Sequence, residues 1–164
     1  PMCNNLATAQ LRLRRWKEAS EHATNSLNLA EHLFENRDGQ VSQCLQKRGI
    51  SQDKVFGEWR IKSTYLAAKA HSEMGEHDTA LKLCQRGIKI ASGYSSLPSE
   101  QTLIPLQKLL DRVTKQRSRH RRREKQMWGG AVKKLTATSG FASRPEAREA
   151  RTTASAGKDK DAEG

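Results

Sequence analysis

Two stretches of the chain place small side chains at the same helical positions, and this repetition constrains the fold more than any other feature. In WKEASEHATNSL and HDTALKLCQRGI the small residues recur at three- and four-residue steps, the period of one helical face. The aligned pairs are Ala19 and Ala80, Ala23 and Cys84, Ser26 and Gly87, and Leu27 and Ile88. Small side chains where two helices cross allow their backbones to approach closely. We therefore predict two copies of a helix–turn–helix unit.

The paired helices resemble the tetratricopeptide repeat (TPR), a unit of about 34 residues with small residues at fixed positions. The resemblance rests on Ala7, Ala19, Ala23 and Ser26 in the first copy and on Ala68, Ala80, Cys84 and Gly87 in the second. Neither copy keeps the proline that usually ends the unit. The resemblance implies an all-α fold, a TPR helix-turn-helix array in which each repeat packs against the next. Trp16, at the turn between the helices of the first copy, is predicted to be a packing anchor.

The distance between the two copies predicts a long insertion. Ala19 and Ala80 are 61 residues apart, which exceeds one repeat by about 27 residues. The predicted order is a TPR repeat truncated at its start over 1–33, an insertion or long loop over 34–60, a TPR repeat over 61–94, a capping and basic helix over 98–130, and a disordered tail over 136–164. The tail has Phe141 as its one large apolar side chain, which is too little to offset the entropy of ordering.

Two structures are predicted for the insertion. Either the second helix of the first repeat continues past Phe34 before a long loop, or a short helix forms around Val41 to Lys47. Gly39 and Gly49 are turn signals, and no helical period persists through the segment. Loops of this length are uncommon in compact domains unless they are functional or disordered, so we expect mobility here.

The residues that follow the second repeat carry the apolar stripe of a further helix. The stripe consists of Leu103, Leu106, Leu109, Leu110 and Val113. In TPR arrays a terminal helix covers the exposed apolar edge of the last repeat, so we expect Leu106, Leu109 and Leu110 to lie against the second repeat. Glycines commonly follow the end of a helix, and Gly129 and Gly130 are predicted to end this one.

The order of these segments resembles the C-terminal half of TPR-bearing immunophilins, of the FKBP type or the cyclophilin type, and of related co-chaperones. The first helix has no cap or turn before Cys3, so the chain is expected to begin inside an array. The resemblance implies that a first repeat and a peptidyl-prolyl isomerase domain precede Pro1 in the parent protein. Relatives without a working isomerase share the same plan, so the resemblance leaves isomerase activity open.

The resemblance also implies a binding groove for acidic C-terminal peptides of heat-shock chaperones, such as Glu-Glu-Val-Asp. Asn5 and Lys62 occupy two positions of the family's carboxylate clamp, and Leu66 stands where the family has an arginine, so Leu66→Arg is expected to strengthen binding. Lysine and asparagine offer charge-assisted hydrogen bonds to carboxylates. The predicted peptide-binding residues are Asn5, Arg12, Lys62, Tyr65 and Lys69. The alternative is that Asn5 and Lys62 are solvated surface residues.

Positive charge is concentrated in the predicted last helix. Residues 108–134 contain eleven Lys and Arg against two acidic residues, within a chain of net charge +12. Three interpretations stay open: phosphate contacts with nucleic acid, a calmodulin target, or a solvated helical extension. The residues predicted to carry binding by this helix are Arg117, Arg119, Arg121, Arg122, Arg123, Lys125 and Trp128.

The sequence lacks the motifs of a catalyst. It contains no phosphate-binding loop, no GxSxG motif and no HExxH motif, and its five histidines are predicted to be packing or surface residues. Three widely spaced cysteines give neither a disulfide framework nor a zinc site. We therefore predict a non-catalytic interaction module without metal or cofactor. No apolar run is long enough to cross a membrane, and the widely spaced cysteines fit a reducing compartment, so we expect a cytoplasmic protein. The resemblance implies a protein partner.

Overall fold

The computed structural model describes residues 2–37, 39–94 and 97–138, with side chains as far as Leu135. Throughout these residues the regular secondary structure is helical, which confirms the all-α prediction. The elements are α1 (Met2–Arg12), α2 (Trp16–Glu35), α3 (Gln40–Lys47), a π-helical segment (Asp53–Trp59), α4 (Arg60–Glu73), α5 (His77–Ser92) and α6 (Leu103–Thr138).

The chain divides into two compact units, Pro1–Arg122 and Arg123–Gly164. The first unit contains α1 to α5 and the residues of α6 up to Arg122. In the second unit the described residues are the helical turns of 123–138.

The turns that join α1 to α2 and α4 to α5 have the same backbone geometry. Each turn has three residues, and its central residue has positive φ: 58° at Arg14 and 82° at Gly75. Three backbone hydrogen bonds of the first turn recur in the second turn, 61 residues later. In the first turn the N–H groups of Leu13, Arg14 and Arg15 donate to the carbonyl oxygens of Ala9, Leu11 and Gln10. In the second turn those of Met74, Gly75 and Glu76 donate to the carbonyl oxygens of Ala70, Ser72 and His71. The two helix–turn–helix units are therefore equivalent in backbone as well as in side-chain pattern.

Small side chains bring the helices together. The first core cluster consists of Ala7, Leu11, Ala19, Ala23, Leu66, Ala67 and Ala70, contributed by α1, α2 and α4. Trp16 is partly buried against this cluster, in the packing role predicted for it. The alanines of this cluster have no exposed surface, so adding atoms at these positions would require the helices to move apart.

The first turns of α6 pack against α4 and α5. The second core cluster consists of Ala68, Ala80, Cys84, Leu109 and Val113, with Leu110 packed at its edge. Leu106 is fully buried, and a Cβ atom at Gly87 would lie 2.9 Å from its Cδ1 atom. Gly87 therefore provides the space that Leu106 occupies. Leu106, Leu109 and Leu110 all pack against the second helix–turn–helix unit, as predicted.

The insertion is mostly helical rather than a long loop. Helix α2 ends at Glu35, one residue past Phe34, and α3 forms at Gln40–Lys47, so the short-helix prediction describes the segment. The π-helical segment follows and leads directly into α4, with Val55 and Phe56 buried. Neither alternative includes this π-helical segment, which the burial of Val55 and Phe56 stabilises although the sequence shows no helical period there.

Aromatic and charged contacts join the two ends of the insertion. The rings of Phe34 and Phe56 lie 5.7 Å apart in an edge-to-face arrangement. The guanidinium of Arg60 lies 4.3 Å from the centre of the Phe34 ring, and that arginine also forms a 3.5 Å ion pair with Glu31. Glu31 forms a second ion pair with Arg86 of α5. These contacts hold α2, α4 and α5 together where the inserted residues leave and re-enter the stack.

The end of α6 differs from the prediction. The helix continues through Gly129 and Gly130 to Thr138, so the two glycines lie inside it and do not terminate it. Glycine disfavours the helix interior by about 1 kcal/mol relative to alanine, and the helical residues on both sides supply the continuing hydrogen bonds. The predicted tail begins at residue 136; its first three residues belong to α6, and 139–164 lie outside the described residues.

The paired turns give a first prediction. Because Gly75 has positive φ, we expect Gly75→Ala to lower the free energy of unfolding by about 1 kcal/mol, and Arg14→Gly at the equivalent position to raise it by up to about 1 kcal/mol. Urea unfolding followed by far-UV circular dichroism measures both. Equal effects of the same sign for the two variants would contradict the equivalence of the turns.

A second prediction concerns the docking of α6. Leu109 is 4% exposed, so we expect Leu109→Asp to lower the free energy of unfolding by about 3 kcal/mol or more, because the carboxylate must be buried or the helix expelled. Gln107→Asp is the matched control, since it places the same carboxylate on the exposed side of the same helix. Similar urea midpoints for the two variants would show that α6 does not depend on this contact.

Candidate functional site

Helix α4 and the beginning of α6 enclose an open cleft of about 380 Å³, which we call the first cleft. Its lining residues are Glu58, Ile61, Lys62, Tyr65, Gln101, Thr102 and Pro105. Ile61, Tyr65 and Pro105 provide apolar surface, and Lys62 provides an ammonium group at the exposed side. A cleft of this size with apolar walls and a few polar groups is typical of sites that hold a side chain or a small ligand.

A smaller cleft of about 250 Å³, the second cleft, adjoins the first one. It is lined by Tyr65, Glu100, Ile104, Pro105, Lys108, Leu109 and Arg112. Tyr65 and Pro105 line both clefts and therefore form the wall between them. An extended ligand that crosses Tyr65 contacts both clefts.

The cations of the two clefts have no ion-pair partner within the described part of the chain. This holds for Lys62 in the first cleft and for Lys108 and Arg112 in the second. One carboxylate lies in each cleft as well, Glu58 in the first and Glu100 in the second. Formal charge is therefore balanced in the first cleft and positive by one in the second.

The structure places the five predicted peptide-binding residues in different surroundings. Lys62 and Tyr65 line the first cleft, as neighbours on one face of α4. Asn5 and Arg12 are exposed on α1, and Lys69 is partly buried on α4; none of these three lines either cleft. The lining by Pro105, Lys108 and Arg112 was missed, because sequence spacing predicts the docking face of α6 but does not reveal which residues of α4 lie beside its exposed cations.

Leu66 belongs to the core and not to a groove. Its side chain is 5% exposed and packs in the first core cluster beside Leu11 and Ala70. The premise of the Leu66→Arg prediction, that position 66 faces a groove, is therefore wrong, because a guanidinium at this position would be buried among apolar side chains. The arginine that lines a cleft together with Tyr65 is Arg112 of α6.

Asn4, the neighbour of the predicted Asn5, is the polar residue that the helices bury. It is 2% exposed, and its Nδ2 donates to the carbonyl oxygen of Trp59 at 3.3 Å. The hydroxyl of Ser63 donates to Asn4 Oδ1 at 2.9 Å and lies 3.0 Å from Ser26 Oγ. This buried polar network joins α1, α2 and α4. The spacing of Asn4 and Ala7 on one helical face was the signal that could have predicted it.

Ser20, His71 and Glu76 form a hydrogen-bonded chain that is similar in order to a serine–histidine–acid triad. Ser20 Oγ lies 3.0 Å from His71 Nε2, and His71 Nδ1 lies 2.6 Å from Glu76 Oε2. Ser20 is buried and none of the three residues lines either cleft, whereas a nucleophile must reach its substrate. The contacts instead join α2 to α4 and to the turn that precedes α5.

The Cys84 thiol and the possible metal ligands among the described residues form no reactive site either. Burial raises the pKa of the Cys84 thiol to about 11, so Cys84 is a neutral thiol at physiological pH rather than a nucleophilic thiolate. Within the part of the chain that the structure describes, no three histidine, cysteine or acidic side chains come together as a metal site.

The residues of the predicted basic helix differ in whether they contact the rest of the structure. Within the first unit, Arg117 Nε lies 2.6 Å from Asp78 Oδ1, so Arg117 joins α6 to α5. Arg119, Arg121 and Arg122 are exposed. In the second unit the exposed residues of the predicted set are Arg123, Lys125 and Trp128, and Trp128 is 70% exposed.

Comparison with known proteins gives no relative from which to read a function. No protein-family model, curated protein or solved structure matches the chain. Among the described helices, none combines the length and the apolar character that crossing a bilayer requires.

The two adjacent asparagines of α1 give a third prediction. We expect Asn4→Ala to lower the free energy of unfolding by about 1–3 kcal/mol, because it leaves a buried hydroxyl and a carbonyl with fewer partners. Asn5→Ala, the control one residue away on the exposed side, should change it by less than about 0.5 kcal/mol. Guanidinium unfolding of both variants tests this, and a larger effect at Asn5 would contradict the assigned burial.

Proposed function

We propose that this chain is a non-catalytic protein-interaction module of the TPR type, and that it binds the acidic C-terminal peptide of a heat-shock chaperone in the first cleft. The proposal combines the repeat pattern of the sequence with the surroundings of Lys62. In this role the chain is a co-chaperone-like module that needs no metal or cofactor.

The equivalent turns support a repeat architecture. Arg14 and Gly75 have the same left-handed backbone conformation at the same repeat position, although arginine disfavours positive φ. An arginine retained in this conformation indicates that the packing of α1 on α2 determines the turn, as it does for α4 on α5. Repeats that pack alike present their first helices alike, and this is the geometry that a TPR groove requires.

The single observation that carries the proposal is the position of Lys62 in the first cleft. Its ammonium group is exposed and forms no ion pair with a described residue, and Ile61, Tyr65 and Pro105 surround the cleft below it. A peptide C-terminus combines a free carboxylate with an adjacent side chain. In a peptide that ends in Val-Asp, the C-terminal carboxylate accepts a charge-assisted hydrogen bond from Lys62 while the valine side chain enters the cleft.

A fourth prediction tests this site. Losing a charge-assisted hydrogen bond costs about 1.5–3 kcal/mol, so Lys62→Ala should weaken binding of a labelled peptide ending in Glu-Glu-Val-Asp by about tenfold or more. Lys82→Ala is the matched control, because it removes the same charge from an exposed position of α5 outside both clefts. Fluorescence anisotropy of the free-acid and amidated peptides gives the affinities.

Two results would contradict the proposal. One is equal binding of the amidated and free-acid peptides, since recognition of a C-terminus requires its carboxylate. The other is an identical effect of Lys62→Ala and Lys82→Ala, which would indicate general charge attraction rather than a contact in the cleft.

The exposed arginines of α6 favour a second candidate function, which is binding to nucleic acid or to calmodulin. Arg119, Arg121 and Arg122 are exposed in the first unit, and an exposed Trp128 in the second unit offers an aromatic surface for stacking or for an apolar pocket. Phosphate contacts release counterions, so affinity for nucleic acid falls steeply with salt. Binding of a peptide through one or two carboxylates depends on salt less strongly.

A further inference from the structure

Lys108 and Arg112 form a cationic pair that neither the repeat pattern nor the position of Lys62 accounts for. They are four residues apart on α6 and line the second cleft, which shares Tyr65 with the cleft that Lys62 lines. The docking leucine Leu109 lines the same cleft, but Lys108 and Arg112 are exposed and belong to neither core cluster, so the core does not need these two cations. Neither side chain forms an ion pair with a described residue.

We propose that the second cleft is a binding subsite for an acidic side chain of the same peptide, with Arg112 as its principal donor and Lys108 as a supporting charge. This inference rests on the proposed function, because the peptide is the one whose C-terminus lies in the first cleft. The module then selects peptides with a glutamate or aspartate shortly before a free C-terminus.

The charge of the second cleft favours a carboxylate as its occupant. Lys108 and Arg112 face one acidic residue, Glu100, so the cleft attracts one further negative charge. The first cleft, where Lys62 faces Glu58, has no such excess. A guanidinium also offers two parallel donors to a carboxylate, which a lysine does not, so Arg112 provides the more directional contact.

Because the two clefts adjoin, one extended peptide can reach both. The clefts share Tyr65 and Pro105 as a common wall. An extended chain advances about 3.3–3.6 Å per residue, so roughly two or three residues carry a peptide across a tyrosine ring. Tyr65 then contacts the backbone between the C-terminal carboxylate and the acidic side chain.

The test combines protein variants with peptide variants. The probes are labelled free-acid peptides ending in Glu-Glu-Val-Asp and in Gln-Gln-Val-Asp, measured by fluorescence anisotropy against the full chain. We expect the double variant Lys108→Gln and Arg112→Gln to lower the affinity for the glutamate peptide by about tenfold. Its affinity for the glutamine peptide should fall by less than about twofold. Single variants should rank Arg112→Gln as the more damaging one.

Lys115→Gln is the matched control. It removes one positive charge from an exposed position of α6 that lines neither cleft, so it reports the general electrostatic contribution. Circular dichroism of all variants should match the parent chain, because the substituted side chains are exposed. An effect of Arg112→Gln no larger than that of Lys115→Gln would overturn the subsite.

The two proposals fail in distinguishable ways. Binding that requires Lys62 and a free C-terminus, but weakens equally for both peptides when Arg112 is replaced, overturns the subsite and leaves the proposed function. Replacing Arg112 could weaken binding of the glutamate peptide alone, while neither amidation nor Lys62→Ala changes the affinity. That result overturns recognition of the C-terminus. A labelled single-stranded oligonucleotide that loses binding in the Arg112 variant, while both peptides are unaffected, assigns the pair to phosphate and also overturns the subsite.

Discussion

The close packing of α4 against its neighbours is the constraint on which the rest of the structure depends. Ala67 and Ala70 belong to the first core cluster and Ala68 to the second, so α4 is buried on two sides by side chains that add almost no width. Helices packed through alanine leave little freedom in their spacing, because larger side chains do not fit and smaller ones would leave voids. The positions of α2, α5 and α6 follow from this packing. Tyr65 contacts both clusters and separates the two clefts, so the site inherits its geometry from the core.

Polar contacts give this packing its register. The network of Asn4, Ser63 and Ser26 is buried at the junction of three helices, where a shift of one residue would leave donors without acceptors. At the other end of α4 the buried Ser20 is hydrogen-bonded to His71, which also contacts the exposed Glu76. Apolar packing alone tolerates small shifts between helices, whereas hydrogen bonds between buried groups do not. The stack therefore has few large apolar side chains and still has a defined alignment of its helices.

The inserted residues are accommodated by local contacts and do not disturb the repeat. Phe34 and Phe56 meet at the two ends of the insertion, and Arg60 connects this pair to Glu31. The π-helical segment approaches Tyr94 and Leu97 so closely that a Cβ atom at Gly57 would lie 2.8 Å from Leu97 Cδ1. A glycine at this position lets the additional helical turn lie against the residues that follow α5. The insertion thus becomes part of the wall behind the first cleft, through Glu58.

The sequence by itself determined the helical class, the register of the two repeats and the docking stripe of α6, because these follow from the spacing of residues along one chain. The equal turns at Arg14 and Gly75 lie at the separation that the alanines indicate. The tertiary structure decided which polar residues are buried and which cations share a cleft. Asn4 rather than Asn5 is buried in the core, and Leu66 is a core residue instead of a groove residue. Arg112, from another helix, lines a cleft together with Tyr65. These outcomes depend on the rotation of each helix against its neighbours, and only the packed helices determine that rotation.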